Sequence, residues 1–155
     1  MKYIGKGSLS SFIKVFIIFL MGVAIGCLIG LPWIFNIFLK MGYFIRSTSF
    51  IINYLMVILY ITGVVSLIIL NEMRKIFNTL EAKDPFIYEN VHSLKTMSVC
   101  AFVIAVVYIT KVIVYNSIMT MLVVLVFFLA GLLALVLSEV FKKAINFKEE
   151  IDLTV

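Results

Sequence analysis

Charge is missing from four long stretches of this 155-residue chain. Residues 15–39, 47–71, 96–110 and 112–138 contain no Asp, Glu, Lys or Arg. A helix needs about 20 apolar residues to cross a hydrocarbon core roughly 30 Å thick. Three of the stretches reach that length on their own, and the stretch 96–110 reaches it if Lys111 extends its amine to the interface. The absence of charge therefore predicts four membrane spans.

Polar composition is too low for a soluble domain. Hydrophobic residues make up 64% of the chain, and the mean hydropathy is +1.20, whereas about half of a soluble domain is apolar. Within a bilayer, backbone N–H and C=O groups must bond inside their own segment, so each span is predicted to be a helix. We expect one all-α domain over residues 1–155, an integral membrane four-helix bundle with helices near 11–38, 48–82, 89–114 and 118–147.

The first apolar stretch resembles a signal peptide only at its start. It continues unbroken past Cys27 through Leu28, Ile29 and Leu31, whereas a removable signal has an apolar core of about 7–15 residues. We interpret it as a retained span.

Metal-ligating and catalytic residue types are scarce. One His and two Cys cannot build a four-ligand zinc site. Cys27 and Cys100 fall at different depths of their spans, which argues against a disulfide. The sequence contains no Gly-rich phosphate loop and no H-E-x-x-H motif, and no nucleophile has a plausible base and orienting partner. We therefore expect a non-enzymatic protein without a cofactor or a metal.

Lysine and arginine are unevenly divided between the two sides of a four-span chain. Ten of the thirteen lie in the amino-terminal segment, between spans two and three, or in the carboxyl-terminal segment, all on one side. The other side has only Lys40, Arg46 and Lys111. A basic excess marks the cytoplasmic face, so both termini are predicted to be inside. The net charge of +5 thus indicates anchoring to the lipid bilayer and argues against direct binding of nucleic acid.

Two helices are expected to extend beyond the bilayer into the cytoplasm. In the second, apolar residues recur at three- and four-residue spacing as far as Leu80, and Asp84-Pro85 then ends the helix. The fourth continues through Glu139 and Phe141 to Ile145. No carboxylate, Arg or His lies at the centre of a span, which argues against proton- or ion-coupled transport.

Small residues form two ridges at helical spacing. Gly22, Gly26 and Gly30 lie on the first helix, and Ala130 and Ala134, followed by Ser138, lie on the fourth. Such ridges allow helix backbones to approach closely in a membrane. Two interpretations stay open: packing inside the bundle, or a seam between two copies in a homodimer.

Three motifs on the cytoplasmic side resemble a known family. They are Asp84-Pro85-Phe86 followed by Glu89-Asn90-Val91, then Leu137-x-Glu139-Val140-Phe141, and the ending Glu149-Glu150-x-Asp152-Leu153-Thr154-Val155. Together they resemble the YoaS-like bacterial four-helix membrane proteins, a family of unknown function. The resemblance implies a multi-pass protein of the bacterial cytoplasmic membrane. Because members are often encoded beside a small helix-turn-helix regulator, it also implies a sensing or regulatory role with a DNA-binding partner.

The same motifs have a structural interpretation and a functional one. We expect Phe86 to fill the gap between helices two and four, Asn90 to cap loop carbonyls, and the tail to fold back through Leu153. One cytoplasmic cluster would then contain Phe77, Leu80, Phe86, Phe141, Ile145 and Leu153. The motif residues that either close the bundle or bind a regulator are Pro85, Phe86, Glu89, Asn90, Glu139, Glu149, Asp152, Leu153 and Thr154.

Three functions are compatible with this sequence. The first is a membrane sensor or regulator acting on a cytoplasmic DNA-binding partner. The second is a small permease or an immunity protein against a membrane-active agent, which a central polar cavity would favour. The third is an accessory subunit of a larger membrane complex, which a large open apolar stripe would favour.

The topology can be tested by thiol labelling. A cysteine placed at Asn116 should react with an impermeant reagent added outside intact cells, because this position lies in the predicted outer connection. A cysteine placed at Lys83 should react only after the cells are permeabilised. The opposite pattern would overturn the orientation.

Overall fold

Four helices make up the computed structural model, which describes residues 8–41, 49–81, 85–114 and 117–153. They are α1 (Ser8–Lys40), α2 (Ser49–Glu81), α3 (Tyr88–Val114) and α4 (Ile118–Leu153). The predicted all-α class and the four helices are confirmed. The predicted ends differ from the observed ones by at most three residues, except that α4 continues six residues further.

All four helices are long and apolar enough to cross a membrane. The shortest, α3, has 27 residues and the longest, α4, has 36. At a rise of 1.5 Å per residue these lengths are about 40 and 54 Å, against roughly 30 Å for a hydrocarbon core. The chain is therefore a multi-pass membrane protein whose helices exceed the length that crossing requires.

The helices pack in the order of the chain. α1 lies against α2, α2 against α3, and α3 against α4, and no other pair of helices brings described Cα atoms within 8 Å. Helix α3 lies between two neighbours and contributes most of the buried residues, which are Asn90, Val91, Ser93, Leu94, Ser98, Cys100, Ala101, Ile104 and Ala105. The arrangement is thus centred on α3 and open between α1 and α4.

A glycine brings α3 and α4 together. The buried residues of α4 include Gly131, Ser138 and Ile145, one every seven positions along one side of the helix. A Cβ added at Gly131 would lie 2.9 Å from the ring of Phe102. The Ser98 hydroxyl donates to the Gly131 carbonyl at 2.8 Å. Gly63 plays the same part between α2 and α1, where the side chain of Leu28 occupies the space that a Cβ would take.

The glycine ridge of α1 makes no contact with another described helix, which disagrees with the interpretation that it packs inside the bundle. Among the described residues, no atom of another helix lies within 4 Å of a Cβ added at Gly22 or Gly26, and a Cβ at Gly30 would meet only Ile34 of its own helix. The reason is that α1 contacts α2 alone and does so through the side that buries Ile17 and Phe35. At 100° per residue, Gly26 lies roughly opposite that side.

The small-residue ridge predicted on α4, which ends at Ser138, coincides with the observed α3–α4 contact at Ser138 but not at Ala130. Ala130 is exposed and Ala134 is half-buried, whereas Gly131 and Ser138 are buried. Glycine is smaller than alanine, so helices α3 and α4 approach most closely at Gly131, which the predicted ridge did not include.

Glycine substitutions separate the observed contact from the predicted one. Gly131→Leu should lower the melting temperature in detergent, because overpacking a tight contact typically costs about 1–3 kcal/mol. Gly26→Leu, the matched control, should leave it unchanged or slightly higher, since a lipid-facing leucine favours helix. Destabilisation by Gly26→Leu instead would indicate that the ridge is covered by a second copy.

Candidate functional site

The polar groups of the fold gather where α2 ends, α3 begins and α4 runs on. We call this region, residues 72–81, 85–95 and 138–153, the polar end. It holds most of the charged residues of the described chain. It also holds most of the motif residues singled out in the sequence. It is therefore the candidate site.

A buried asparagine ties α2, the following loop and α3 together. The Asn90 side chain is fully buried, and its Nδ2 donates to the Pro85 carbonyl and to Thr79 Oγ1, both at 2.7 Å. The Thr79 hydroxyl lies 2.8 Å from the Ile76 carbonyl of its own helix. Both donors of the Asn90 amide are satisfied. Asn90 thus holds a loop carbonyl, which is the contact expected from the sequence.

Phe86 packs on α4 and remains partly exposed. Its ring lies 5.3 Å from that of Phe141, at an angle of 45°. It does not fill a gap between α2 and α4, because α3 separates those two helices. Phe86 and Leu80 are each 43% exposed, while Ile145 is buried. The predicted closed cluster is therefore wrong in part: Phe86 meets Phe141, but the apolar surface stays open.

The tail does not fold back onto this surface as far as it is described. Helix α4 continues through Asp152 to Leu153, since Lys148, Glu149 and Glu150 are good helix formers and no residue breaks the helix there. Glu149 and Glu150 are exposed along this extension, and Glu89 is exposed at the start of α3. Thr154 and the side chains of Asp152 and Leu153 lie outside the described residues.

Polar contacts join α3 to α4 along the polar end. Ser138 is fully buried and its hydroxyl donates to the Val91 carbonyl at 3.4 Å. Lys95 Nζ lies 3.6 Å from Glu139 Oε1, with both side chains about half exposed. The Tyr88 hydroxyl donates to Asn146 Oδ1 at 3.1 Å. The two helices are thus held in register up to Asn146.

Glu72 is a buried carboxylate that our reading of the sequence missed. Only 7% of the residue is exposed, and its Oε1 accepts a hydrogen bond from Lys75 Nζ at 2.7 Å. The Ser93 hydroxyl faces it from α3, and Oε2 is buried without a hydrogen-bond partner among the described residues. Its position in the sequence indicates burial, because Glu72 lies three residues after Ile69 and four before Ile76, on the apolar side of the helix.

The arrangement is suited to recognition by shape and charge. Within the described ranges, no three His, Cys, Asp or Glu side chains come together as metal ligands would. His92 is exposed. A groove between α1, α2 and α4 has a volume of about 410 Å³ and is lined by apolar side chains apart from Ser66. The chemistry that the polar end offers is hydrogen bonding, charge pairing and exposed apolar side chains.

Comparison with known proteins gives one match. A family model described as a protein of unknown function (DUF2975) matches residues 31–155. The matched segment contains α2, α3, α4 and the whole polar end, and it begins inside α1. No curated protein and no solved structure was found to match the chain. The match agrees with the expected uncharacterised family and does not test the narrower YoaS-like name.

The Asn90 network can be tested by truncation. Asn90→Ala removes both donors and leaves a buried carbonyl and hydroxyl with one bond fewer, so the free energy of unfolding should fall by about 1–3 kcal/mol. Asn53→Ala, at an exposed position of α2, is the control and should change little. Thermal unfolding in the same detergent measures both. If Asn90→Ala melted at the same temperature as the parent protein, Asn90 would not be what holds α2 and α3 together.

Proposed function

The chain belongs to this family of proteins of unknown function, and on that premise we propose that it is a non-enzymatic membrane regulator acting through its polar end on a cytoplasmic partner. The basic excess supports a cytoplasmic location for this end, with both termini inside. By the resemblance described above, the partner is a small DNA-binding regulator and the membrane is the bacterial cytoplasmic membrane.

The observation that carries this proposal is the length of α4. The last of its described side chains to be buried is Ile145, and Asn146 makes its last described hydrogen bond to another helix. Residues 147–151 continue as an exposed helix. A helix whose side chains remain exposed offers a partner a preformed surface, so little ordering is needed on binding.

The order in which the helices pack would allow a change in the membrane to be transmitted to the polar end. Helix α1 lies only against α2, and α2 is joined to the α3–α4 pair through the α2–α3 contact. Thr79 and Asn90 lie at the polar end of that contact. A shift of α1 and α2 within the bilayer would therefore reach the loop at Pro85 directly. The stimulus we propose is a change that the membrane-embedded part of α1 and α2 senses.

The alternative functions lack a specific observation in their favour. A permease needs polar groups along a path through the membrane, whereas three grooves between the described spans are lined mainly by apolar side chains. A role as an accessory subunit would use the apolar faces of the helices, which any lipid-facing helix also has. A homodimer through the open ridge at Gly22 and Gly26 is compatible with the regulatory function.

Site-specific photo-crosslinking in living cells tests the proposal. A photoreactive residue at Glu149 should capture a soluble cytoplasmic protein, and the same residue at Met119, equally exposed at the opposite end of α4, should not. Deleting the gene should change transcripts controlled by the captured protein, and the intact chain should restore them. Capture at Met119 alone, or unchanged transcripts, would contradict a regulatory role for the polar end.

A further inference from the structure

A shallow depression on α4 lies at the level where the charge-free sequence ends. It has a volume of about 260 Å³ and is lined by Leu135, Val136, Glu139, Val140 and Lys143. Residues 112–138 of the chain carry no charge, and Glu139 is the first charged residue after them. The depression is therefore apolar on the side toward the hydrocarbon and charged on the side toward the water.

A lysine of α3 lies at the edge of this depression. Lys95 Nζ is 3.6 Å from Glu139 Oε1, and Glu139 is one of the lining residues. Lys95 is also the last charged residue before the charge-free part of α3, residues 96–110. Lys143 lies four residues after Glu139 and therefore on the same side of α4. The structure thus brings lysines from two helices to the charged side of one depression.

Glu139 does not neutralise the lysines around it. Its contact with Lys95 is long, and both side chains are about half exposed, so the pair contributes little. Lys142 is exposed three residues after Glu139 and adds a further positive charge beside it. With Lys143, three lysines face one carboxylate, and an excess of positive charge remains.

The other acidic residues of α3 and α4 lie further from the membrane. On α4, Glu149 and the acidic residues after it are at least about 9 Å beyond Lys143 along the helix. On α3, Glu89 is about 9 Å beyond Lys95 in the same direction. Physiological salt screens exposed charges over roughly 8 Å. The positive excess is therefore retained where the hydrocarbon ends, which is the level of lipid phosphate groups.

A depression with these properties matches an anionic phospholipid. The acyl chain of such a lipid would lie along Leu135 and Val136, and its phosphate would reach the lysines just beyond them. Basic pockets beside membrane helices bind anionic headgroups in this way. A soluble anion would make no use of the apolar side of the depression, so the combination of the two sides favours the lipid.

We propose that Lys95 and Lys143 bind the phosphate of an anionic phospholipid seated in the depression between them. Both ammonium groups donate charge-assisted hydrogen bonds to phosphate oxygens, and Glu139 lowers the affinity by its own negative charge. The lipid would link α3 to α4 at the membrane boundary, next to the buried contact between Ser138 and Val91. The site goes beyond the regulatory function and does not depend on it.

Lipid binding can be measured by native mass spectrometry of the full chain released from detergent micelles. The probes are phosphatidylglycerol, which is anionic, and phosphatidylcholine with the same oleoyl chains, which has no net charge. The first phosphatidylglycerol should bind about tenfold more tightly, because each lysine contributes about fivefold and Glu139 offsets part of the effect. Glu139→Gln should increase the preference.

Matched variants separate this site from a general effect of positive charge. Lys95→Gln combined with Lys143→Gln should reduce the preference for phosphatidylglycerol to about twofold or less. Lys95→Arg combined with Lys143→Arg keeps both charges and should retain it. Arg74→Gln also removes a positive charge from the polar end, but on the exposed side of α2 that points away from Glu72 and α3. This control should leave the preference unchanged.

Several results would overturn the proposal. They are equal binding of the two lipids, an unchanged preference in the double Gln variant, and an equal loss in Arg74→Gln. Glycerol phosphate, the soluble headgroup, distinguishes a lipid from a free phosphate ester and should not displace the bound lipid. Displacement by it would assign the lysines to a soluble ligand and reject the lipid. No regulator takes part in these measurements, so the regulatory function keeps its own test.

Discussion

Close contact between α3 and α4 is the interaction on which the rest of the structure depends. Lipid tails are as apolar as leucine, so the hydrophobic effect does not press membrane helices together, and van der Waals packing and hydrogen bonds must do so. Here the backbone at Gly131 comes against the ring of Phe102, and the hydroxyls of Ser98 and Ser138 donate to carbonyls of the facing helix. These contacts run along the helices from the membrane to the polar end.

The same constraint explains why the remaining helices are held less firmly. The contact between α2 and α3 buries fewer residues than the contact between α3 and α4. On α2, the buried residues among those described are Ile58 and Glu72. Helix α1 adds only its contact with α2, where Leu28 lies over Gly63. Helix packing is therefore closest between α3 and α4 and becomes less extensive toward α1. The protein therefore has one extensively packed pair of helices, α3 and α4, and one less extensively packed pair, α1 and α2.

Two buried polar side chains at the polar end, Asn90 and Glu72, connect α2 with α3 in different ways. Asn90 has no unsatisfied donor, so it secures the loop at Pro85 to α3. Glu72 is different, because one of its oxygens is buried without a partner among the described residues. Burying such a group costs stability, yet Glu72 forms an ion pair with Lys75 of its own helix and faces Ser93 of α3, so that it links α2 with α3. A residue that lowers stability by its burial and yet links two helices is typical of positions under functional constraint.

Local chemistry let the sequence alone determine the elements. Charge-free runs long enough to cross a bilayer must be helical, and Asp84-Pro85 must end a helix, so the helices and most of their ends followed from rules that act within a few residues. The carboxyl end of α4, six residues beyond the predicted one, did not. The capping role of Asn90 was proposed only after the family resemblance had singled out its motif. Which faces meet was decided only by the tertiary structure. In a membrane every face of a helix is apolar, so hydrophobic periodicity loses its power to identify the packed side. Gly26 and Gly131 look alike in the sequence, but only Gly131 lies opposite a ring that fills the space of its missing side chain.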